Sequence, residues 1–483
     1  MIQDTEVGYV VSSRNFLVHL DGLPTIRIND LVQSETGSRG WVNALSSDTV
    51  EVLMLDEGAV LPGQMFKKVK GRLGVGAGEF LLGRSINPLG VPIDGRGPLS
   101  KTKGATILEL EQLAPGIESR RFIKDQFLTG ITVVDTLIPL GGGQRELVMG
   151  DAHSGKGAFL IDVIVSQKQA GVICIYASIG KSEVAVRNLI DTLRANKALE
   201  YTVIVAASSS EPAPLIFLTP KTAITLAEYF QRKGHQVLLI LDDLGIHAKI
   251  YREISLLGQR PPGKESYPGD IFYQHAHLLE RAGNFTKEYG GGSITALPVI
   301  ELNLNDFTTL IPTNLMSMTD GHLLLKSAYR AQGQIPAIDI FLSVSRVGRQ
   351  TQDRLSNLLS SRIRQALSLG QELETLSRFS TELPQETQLA LRRRELIMEF
   401  LKQDPLTPIP KQVQLILLSL VFTTFLQERN RSFLEKYKKA LIEAFLKEPN
   451  LSKITKTVGK LKEDEELIRL LETATPLLNK LCP

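Results

Sequence analysis

The residues best suited to chemistry form the glycine-bounded stretch Gly150-Asp151-Ala152-His153-Ser154-Gly155-Lys156-Gly157. The apolar residues before it predict a strand over 146–149, and those after it predict a helix over 158–169. Glycines in such a loop let successive backbone N–H groups point at phosphate oxygens, while the lysine lies against the β- and γ-phosphates. The spacing therefore predicts a phosphate-binding P-loop, and a site for ATP or ADP.

The last position of this motif departs from the expected pattern. Gly157 stands where a serine or threonine hydroxyl would hold Mg²⁺. Without that hydroxyl the metal loses one of its few direct protein ligands, and glycine also weakens the first helical turn by ~1 kcal/mol relative to alanine. We therefore expect ATP or ADP to bind weakly or not at all, and Mg²⁺ to be poorly held.

A second candidate element is the apolar run at 237–241 followed by Asp242 and Asp243. A strand that ends in aspartate places a carboxylate at the sheet edge where a P-loop lies, and there it can orient Mg²⁺ or its waters. The alternative is an aspartate that caps the next helix. We interpret Asp242 as a weak Mg²⁺ ligand and both aspartates as nucleotide-site residues.

Hydrolysis also needs a carboxylate to activate water near the γ-phosphate. The natural position is a loop predicted over 179–183, and Lys181 stands there. A protonated lysine cannot accept the proton, and Glu183 is the remaining alternative. A positive charge at Lys181 could partly replace that of Mg²⁺, which predicts nucleotide binding without metal.

Length and composition describe an ordinary globular protein. The 483 residues predict two to four domains, and 43% hydrophobic with 22% charged residues is typical of a soluble chain. A net charge of +3 gives no argument for a nucleic-acid or membrane partner. The polar, acidic first residues predict no signal peptide. The longest apolar run, 415–426, is too short to span a bilayer and predicts one buried helix.

The pattern of elements predicts three domains. Short apolar runs with glycine turns over 1–72 predict a small β-barrel. Over 73–350, a Gly- and Pro-rich looped segment leads into alternating apolar strands and helices. That alternation predicts an α/β P-loop domain of RecA type with a mainly parallel sheet. Helical spacing over 351–483 predicts an α-helical bundle. Cys174 lies inside a predicted strand and is interpreted as a small buried hydrophobe.

Several long motifs give the chain a clear resemblance to the alpha subunit of F-type ATP synthases, from about residue 7 into the C-terminal bundle. They are Gln144-Arg145-Glu146-Leu147 before Gly150-Asp151, the run from Arg260 to Tyr273, Leu278-Leu279-Glu280-Arg281-Ala282, Ile311-Pro312-Thr313-Asn314, Thr319-Asp320-Gly321, Pro336-Ala337-Ile338-Asp339 and Ser343-Val344-Ser345-Arg346-Val347-Gly348.

The resemblance implies an architecture and a set of partners. It implies a head in which three alpha and three catalytic beta subunits alternate around a gamma central stalk, with the membrane rotor sector contacted only indirectly. The complex would make ATP at its beta sites, coupled to proton transport, at the cytoplasmic face of the cell membrane. No nucleic-acid partner is implied. The family's N-terminal helix, which docks the peripheral stalk, has no counterpart here, so that contact stays open.

The resemblance also implies roles for individual residues. Arg346 matches the arginine that reaches into the neighbouring beta site and neutralises charge on the γ-phosphate, and Ser343 and Ser345 would fix the strand end that aims it. Gln403 matches a nucleotide-site glutamine at the start of the helical domain.

The departures from the family pattern concern its nucleotide contacts. In the P-loop, Ala152-His153 replaces the family's Arg-Gln pair and Gly157 replaces its threonine. Lys181 stands where the family has a glutamine. Ile335-Pro336 replaces an Arg-Pro pair, and Gln403-Asp404-Pro405 replaces a Gln-Gly-Gln run. The leading hypothesis is thus a non-catalytic alpha subunit with a weakened or empty site of its own. One alternative is a self-sufficient hexameric ATPase of the flagellar or secretion type, which Gly157 and Lys181 oppose. Another is a non-enzymatic scaffold.

Overall fold

A computed structural model describes residues 6–99, 105–303, 306–377, 384–427 and 429–482. Residues 1–5 of the predicted barrel domain and 100–104 of the predicted looped segment lie outside this description. The chain divides into two compact units, each built from several segments. The first unit contains residues 1–122, 142–151 and 167–322, and the second contains 123–141, 152–166 and 323–483.

The strands in chain order are β1 (Val7–Arg14), β2 (Leu17–Gly22), β3 (Asp30–Ser34), β4 (Arg39–Leu45), β5 (Val50–Met54), β6 (Met65–Arg72), β7 (Gly74–Ala77), β8 (Ser85–Ile86), β9 (Thr106–Glu109), β10 (Gln126–Phe127), β11 (Leu140–Gly141), β12 (Leu147–Asp151), β13 (Ile173–Lys181), β14 (Thr202–Ser208), β15 (Gln236–Asp242), β16 (Gly283–Asn284), β17 (Ser293–Leu302), β18 (Gly321–Leu325) and β19 (Val344–Ser345). The helices are α1 (Thr132–Leu137), α2 (Lys156–Ser166), α3 (Glu183–Ala195), α4 (Ala213–Arg232), α5 (Leu244–Leu257), α6 (Ile271–Leu279), α7 (Leu310–Met318), α8 (Ser327–Ala331), α9 (Arg354–Ser377), α10 (Gln385–Leu401), α11 (Lys411–Leu420), α12 (Thr424–Gln427), α13 (Arg431–Lys447), α14 (Pro449–Val458) and α15 (Asp464–Leu481).

The predicted N-terminal barrel is confirmed. Its six strands close in the order β1-β2-β5-β4-β3-β6, and β1 pairs with β6 to complete the ring. Because successive side chains of a strand point to opposite faces, alternate apolar residues fill the interior, among them Val18, Val52 and Phe66, each fully buried.

The predicted, mainly parallel sheet is also confirmed. In the first unit, β12, β17, β15, β13, β14 and β8 lie side by side in that order and pair in parallel. The short β16 adds one antiparallel pairing to β17. The middle strands are buried along nearly their whole length, as expected for a parallel sheet that is covered on both faces. Cys174, in β13, is a fully buried free thiol as predicted.

The second unit is mainly helical, which confirms the predicted C-terminal helical region. The single buried helix predicted over 415–426 is wrong, because α11 ends at Leu420 and α12 begins at Thr424. The Thr423 hydroxyl donates to the Leu420 carbonyl at 2.6 Å, and the Thr424 amide donates to Glu472 at 2.8 Å, so local side-chain bonds replace the helical ladder. Within the described residues, no helix has the length and hydropathy needed to cross a membrane.

Candidate functional site

The predicted P-loop is a tight turn between a strand and a helix. β12 ends at Asp151, and α2 begins at Lys156, two residues before the predicted start. His153 and Gly155 adopt left-handed φ values of 62° and 95°. The left-handed conformation at Gly155 is one that a residue with a Cβ atom adopts only with strain, which explains the glycine at this point of the motif.

Gly157 has no such steric requirement. Its φ is not left-handed, and a Cβ atom added there would meet no heavy atom within 4 Å. The missing hydroxyl is therefore a difference in chemistry that the backbone does not impose. The neighbouring Ser154 and Lys156 are buried, with 1% and 8% of their surface exposed.

A basic residue that the sequence patterns did not predict lies against this loop. Arg330, in α8, donates from Nη1 to the carbonyl oxygen of His153 at 3.2 Å. The same nitrogen lies 3.1 Å from the place that a Cβ atom on Gly155 would occupy. No periodicity or motif marks Arg330, because only the fold of the second unit brings α8 to the loop.

The carboxylate of Asp242, at the end of β15, is held by two protein donors. Its Oδ1 lies 2.9 Å from the Lys181 ammonium, and its Oδ2 accepts a hydrogen bond of 2.7 Å from the Tyr176 hydroxyl. The adjacent Asp243 caps α5 by accepting from the Ile246 amide at 2.7 Å, and it lies 3.9 Å from the Lys181 ammonium. The helix-cap alternative thus describes Asp243. Asp242, the expected metal ligand, is instead paired with the Lys181 ammonium.

Electrostatics keep Lys181 in its charged form. Burial alone would lower the pKa of Lys181, but attraction to Asp242 and Asp243 outweighs it and raises the pKa above its ordinary value. Burial and the charge of Asp242 raise the pKa of Tyr176 well above its ordinary value, so the hydroxyl stays a donor. Burial raises the pKa of Asp243, and Lys181 opposes that shift. Lys181 is thus a cation at neutral pH.

The loop predicted over 179–183 is wrong. β13 continues to Lys181, because Ile179 is buried and pairs with Ala207 of β14. The Ser182 side chain then caps α3, and Glu183 is the first helical residue. The Glu183 carboxylate accepts from the Ser210 hydroxyl at 3.1 Å. The side chain that ends β13 is therefore an ammonium and not a base that could activate water.

The residues present do not fit Mg²⁺. The metal binds oxygen ligands, usually one or two carboxylates together with waters, and the predicted carboxylate already faces an ammonium. Among the described residues, no group of three or more His, Cys, Asp or Glu side chains is arranged to hold a metal ion.

Arg346 lies on an anchored loop. The Ser343 hydroxyl accepts from the Leu324 amide at 3.0 Å, and the Ser345 hydroxyl donates to the Pro139 carbonyl at 2.6 Å. A Cβ atom at Gly348 would collide with that same carbonyl oxygen, so only glycine allows this approach. The Arg346 side chain is exposed, and within the described part of the chain its guanidinium has no hydrogen-bond or ion-pair partner.

Gln403 has a structural set of contacts. Its Oε1 accepts from both the amide and the hydroxyl of Thr132 at 3.0 Å, and its Nε2 donates to the carbonyls of Gly130 at 2.7 Å and Thr407 at 2.8 Å. The side chain is buried. Its whole amide is used inside the protein, whereas the resemblance assigned it to a nucleotide.

Two family models match the chain over most of its length. The nucleotide-binding domain of the ATP synthase alpha/beta family matches residues 130–345. The C-terminal domain of the ATP synthase alpha/beta chain matches residues 352–475. The first match spans the P-loop, the Lys181–Asp242 pair and Ser345, and the second spans Gln403.

Proposed function

The chain belongs to the ATP synthase alpha/beta family, and from that premise we propose that it is a non-catalytic alpha-type subunit that completes the catalytic site of a neighbouring subunit. The family accounts for a nucleotide-binding domain and implies a hexameric ring with other subunits. Our proposal assigns this chain the alpha position in that ring.

The observation that carries the proposal is the state of Arg346. A guanidinium that is exposed, lacks a partner within the described residues and sits on a fixed loop is available to an anion outside its own chain. An arginine supplied in trans to a phosphoryl-transfer site is worth ~10³–10⁵ in rate. We therefore assign Arg346 as the residue that neutralises γ-phosphate charge in the neighbour.

The surface beside Arg346 supports contact with another subunit. Phe341, Leu342 and Val344 expose 50%, 45% and 43% of their surface, close together in sequence. Large apolar side chains exposed this close together are what contact with another subunit would cover. Apolar contact around an arginine would also exclude water and strengthen its interaction with phosphate.

The chain's own site supports the non-catalytic assignment. Lys181 ends β13 as a cation, and Glu183 is engaged with Ser210. General-base activation of water needs a group that accepts a proton, which a lysine ammonium cannot do.

The remaining assignments follow from the alpha position. The chain would alternate with catalytic beta subunits in a three-plus-three ring around a gamma central stalk, and ATP would be made or split at the beta sites. The membrane rotor and its proton transport would be coupled only indirectly, and the chain would lie peripherally at the cytoplasmic face of the cell membrane.

The test is Arg346→Ala in a ring reconstituted from this chain and a catalytic beta subunit. We expect steady-state ATP turnover to fall by ~10³-fold or more, with ring assembly on a sizing column unchanged. Arg349→Ala is the matched control, because Arg349 is exposed three residues further on but bonds Ser361 at 3.2 Å. Unchanged turnover in the Arg346 variant, or hydrolysis by the purified chain alone, would overturn the proposal.

A further inference from the structure

We propose that this chain binds its nucleotide free of Mg²⁺, as a bare polyphosphate anion, with Arg330 and the P-loop lysine supplying the charge that a metal would otherwise bring. The inference rests on the proposed function, in which this chain holds nucleotide without turning it over. It specifies the form of the ligand, and it concerns a site whose residues do not fit the metal that the family implies.

The first step is the loss of the carboxylate as a metal ligand. Lys181 lies 2.9 Å from Oδ1 of Asp242, and the Tyr176 hydroxyl takes Oδ2 at 2.7 Å. A divalent cation that approached either oxygen would have to displace a charged or hydrogen-bonded donor. Both oxygens of this carboxylate are therefore already engaged by protein donors.

The second step is the absence of the hydroxyl ligand. Gly157 contributes no side-chain oxygen, although the space beside it is open and would accept one. Both protein ligands that such a loop and strand normally offer to Mg²⁺ are thus missing or engaged. One change alone would weaken metal binding, and with both changes neither of these two ligands is freely available to the metal.

The third step is the extra cation on the loop. Arg330 donates to the His153 carbonyl at 3.2 Å, and this is the only hydrogen bond of its side chain among the residues that the structure describes. Its other N–H groups remain for a ligand, and guanidinium groups bind phosphate through paired N–H donors. The P-loop motif already supplies Lys156, so Arg330 adds a second positive charge at the phosphate-binding turn.

The experiment is isothermal titration calorimetry of ATP into the purified full chain, once with EDTA and once with excess MgCl₂. We expect binding in EDTA to be at least as tight as binding with Mg²⁺. Arg330→Gln should weaken binding in EDTA by about tenfold or more, since it removes a charged donor to phosphate. Arg349→Gln, at an exposed residue whose guanidinium bonds Ser361, should leave it unchanged.

A double variant tests the metal directly. Gly157→Thr restores the hydroxyl in open space, and Lys181→Gln removes the ammonium while keeping a donor for Asp242. We expect Mg²⁺ to tighten ATP binding to this variant by about tenfold or more, the scale of one charge-assisted contact. Thermal melts establish that each variant is folded.

Strictly Mg²⁺-dependent binding by the wild-type chain would overturn the inference. So would an Arg330→Gln variant with undiminished affinity in EDTA, or absence of ATP binding under both conditions. The ring experiment with Arg346 reports on the proposed function separately, because it measures turnover at the neighbour's site and needs no nucleotide in this chain.

Discussion

The hydroxyl of Ser345 donates a hydrogen bond of 2.6 Å to the carbonyl oxygen of Pro139, two hundred residues away in sequence and immediately before Leu140, the start of β11. The same hydroxyl accepts from the Gly348 amide at 3.2 Å. One oxygen atom therefore joins the two ends of the turn that carries Arg346 and ties that turn to Pro139. Through this bond Ser345 holds in place the next residue, Arg346, on which the proposed function depends.

Ser345→Ala should reduce turnover of the reconstituted ring by roughly tenfold, because loss of one intramolecular hydrogen bond costs about 0.5–1.5 kcal/mol and lets the loop move. Ser345→Thr keeps the hydroxyl and should restore most of the rate. Ser345 acts as a positioning residue, so the KM for ATP should change far less than kcat. A loss of turnover that Ser345→Thr does not rescue would contradict this role.

Much of the fold follows from local pattern. The β13 and β15 runs are apolar and rich in β-branched residues. These local features are enough to predict buried parallel strands, without any contact between residues far apart in sequence. β6 carries a weaker local signal, since Lys67, Lys68 and Lys70 interrupt its apolar positions. The break after α11 depends on Thr423 and Thr424, whose hydroxyl and amide find partners that helical periodicity does not reveal.

The candidate site was predictable only in part. The positions of Lys181 and Asp242 on their own strands mark each of them as a candidate site residue. Their ion pair, however, depends on the register of β13 against β15, in which Ser178 lies opposite Asp242. Sequence alone does not fix that register. Arg330 carries no pattern at all, and the contacts of Gln403 to Thr132 join residues 271 positions apart.

Gln403→Leu should lower the free energy of unfolding by roughly 3 kcal/mol, because it leaves the buried amide and hydroxyl of Thr132 without their acceptor. Chemical denaturation measures this directly. Gln332→Leu is the control, because Gln332 is exposed. If Gln403→Leu keeps wild-type stability but loses ATP affinity, this glutamine instead contacts the nucleotide.

Arg281→Met should lower the free energy of unfolding by about 3–5 kcal/mol, the usual cost of breaking a buried ion pair from one side. Arg281 is 1% exposed, and its Nε and Nη2 donate to the two carboxylate oxygens of Glu228 at 2.7 and 2.9 Å. It also donates to the Leu110 carbonyl at 2.9 Å, so its loss leaves this carbonyl as well as Glu228 without a donor from Arg281.

A second variant separates charge from packing at this pair. Adding Glu228→Gln to Arg281→Met removes the unpaired buried charge and should recover part of the lost stability. The control is Arg232→Met, since Arg232 is a more exposed neighbour of Glu228 at 3.7 Å and surface pairs contribute up to about 1 kcal/mol. A double variant no more stable than Arg281→Met would show that packing and not charge sets the cost.

The free energy of unfolding should fall as the pH drops from about 6.5 towards 4, because two histidines are buried in their neutral form. His247 and His275 lie 3.2 Å apart between Nδ1 and Nε2. Burial lowers the pKa of His275 to about 4, and burial together with the charges of His275 and Lys221 lowers that of His247 well below its ordinary value. The unfolded chain, with ordinary histidine pKa values, binds more protons in this window, so acid favours unfolding, by roughly 3 kcal/mol from His275 alone.

The measurement is denaturant unfolding at pH 7.5 and at pH 5. His247→Phe with His275→Gln keeps the ring stacked on Phe217, which lies 4.9 Å from the His247 ring, and should flatten the dependence. His235→Gln, at an exposed site, should leave it intact. An equally steep loss of stability in the double variant would assign the acid sensitivity to other groups.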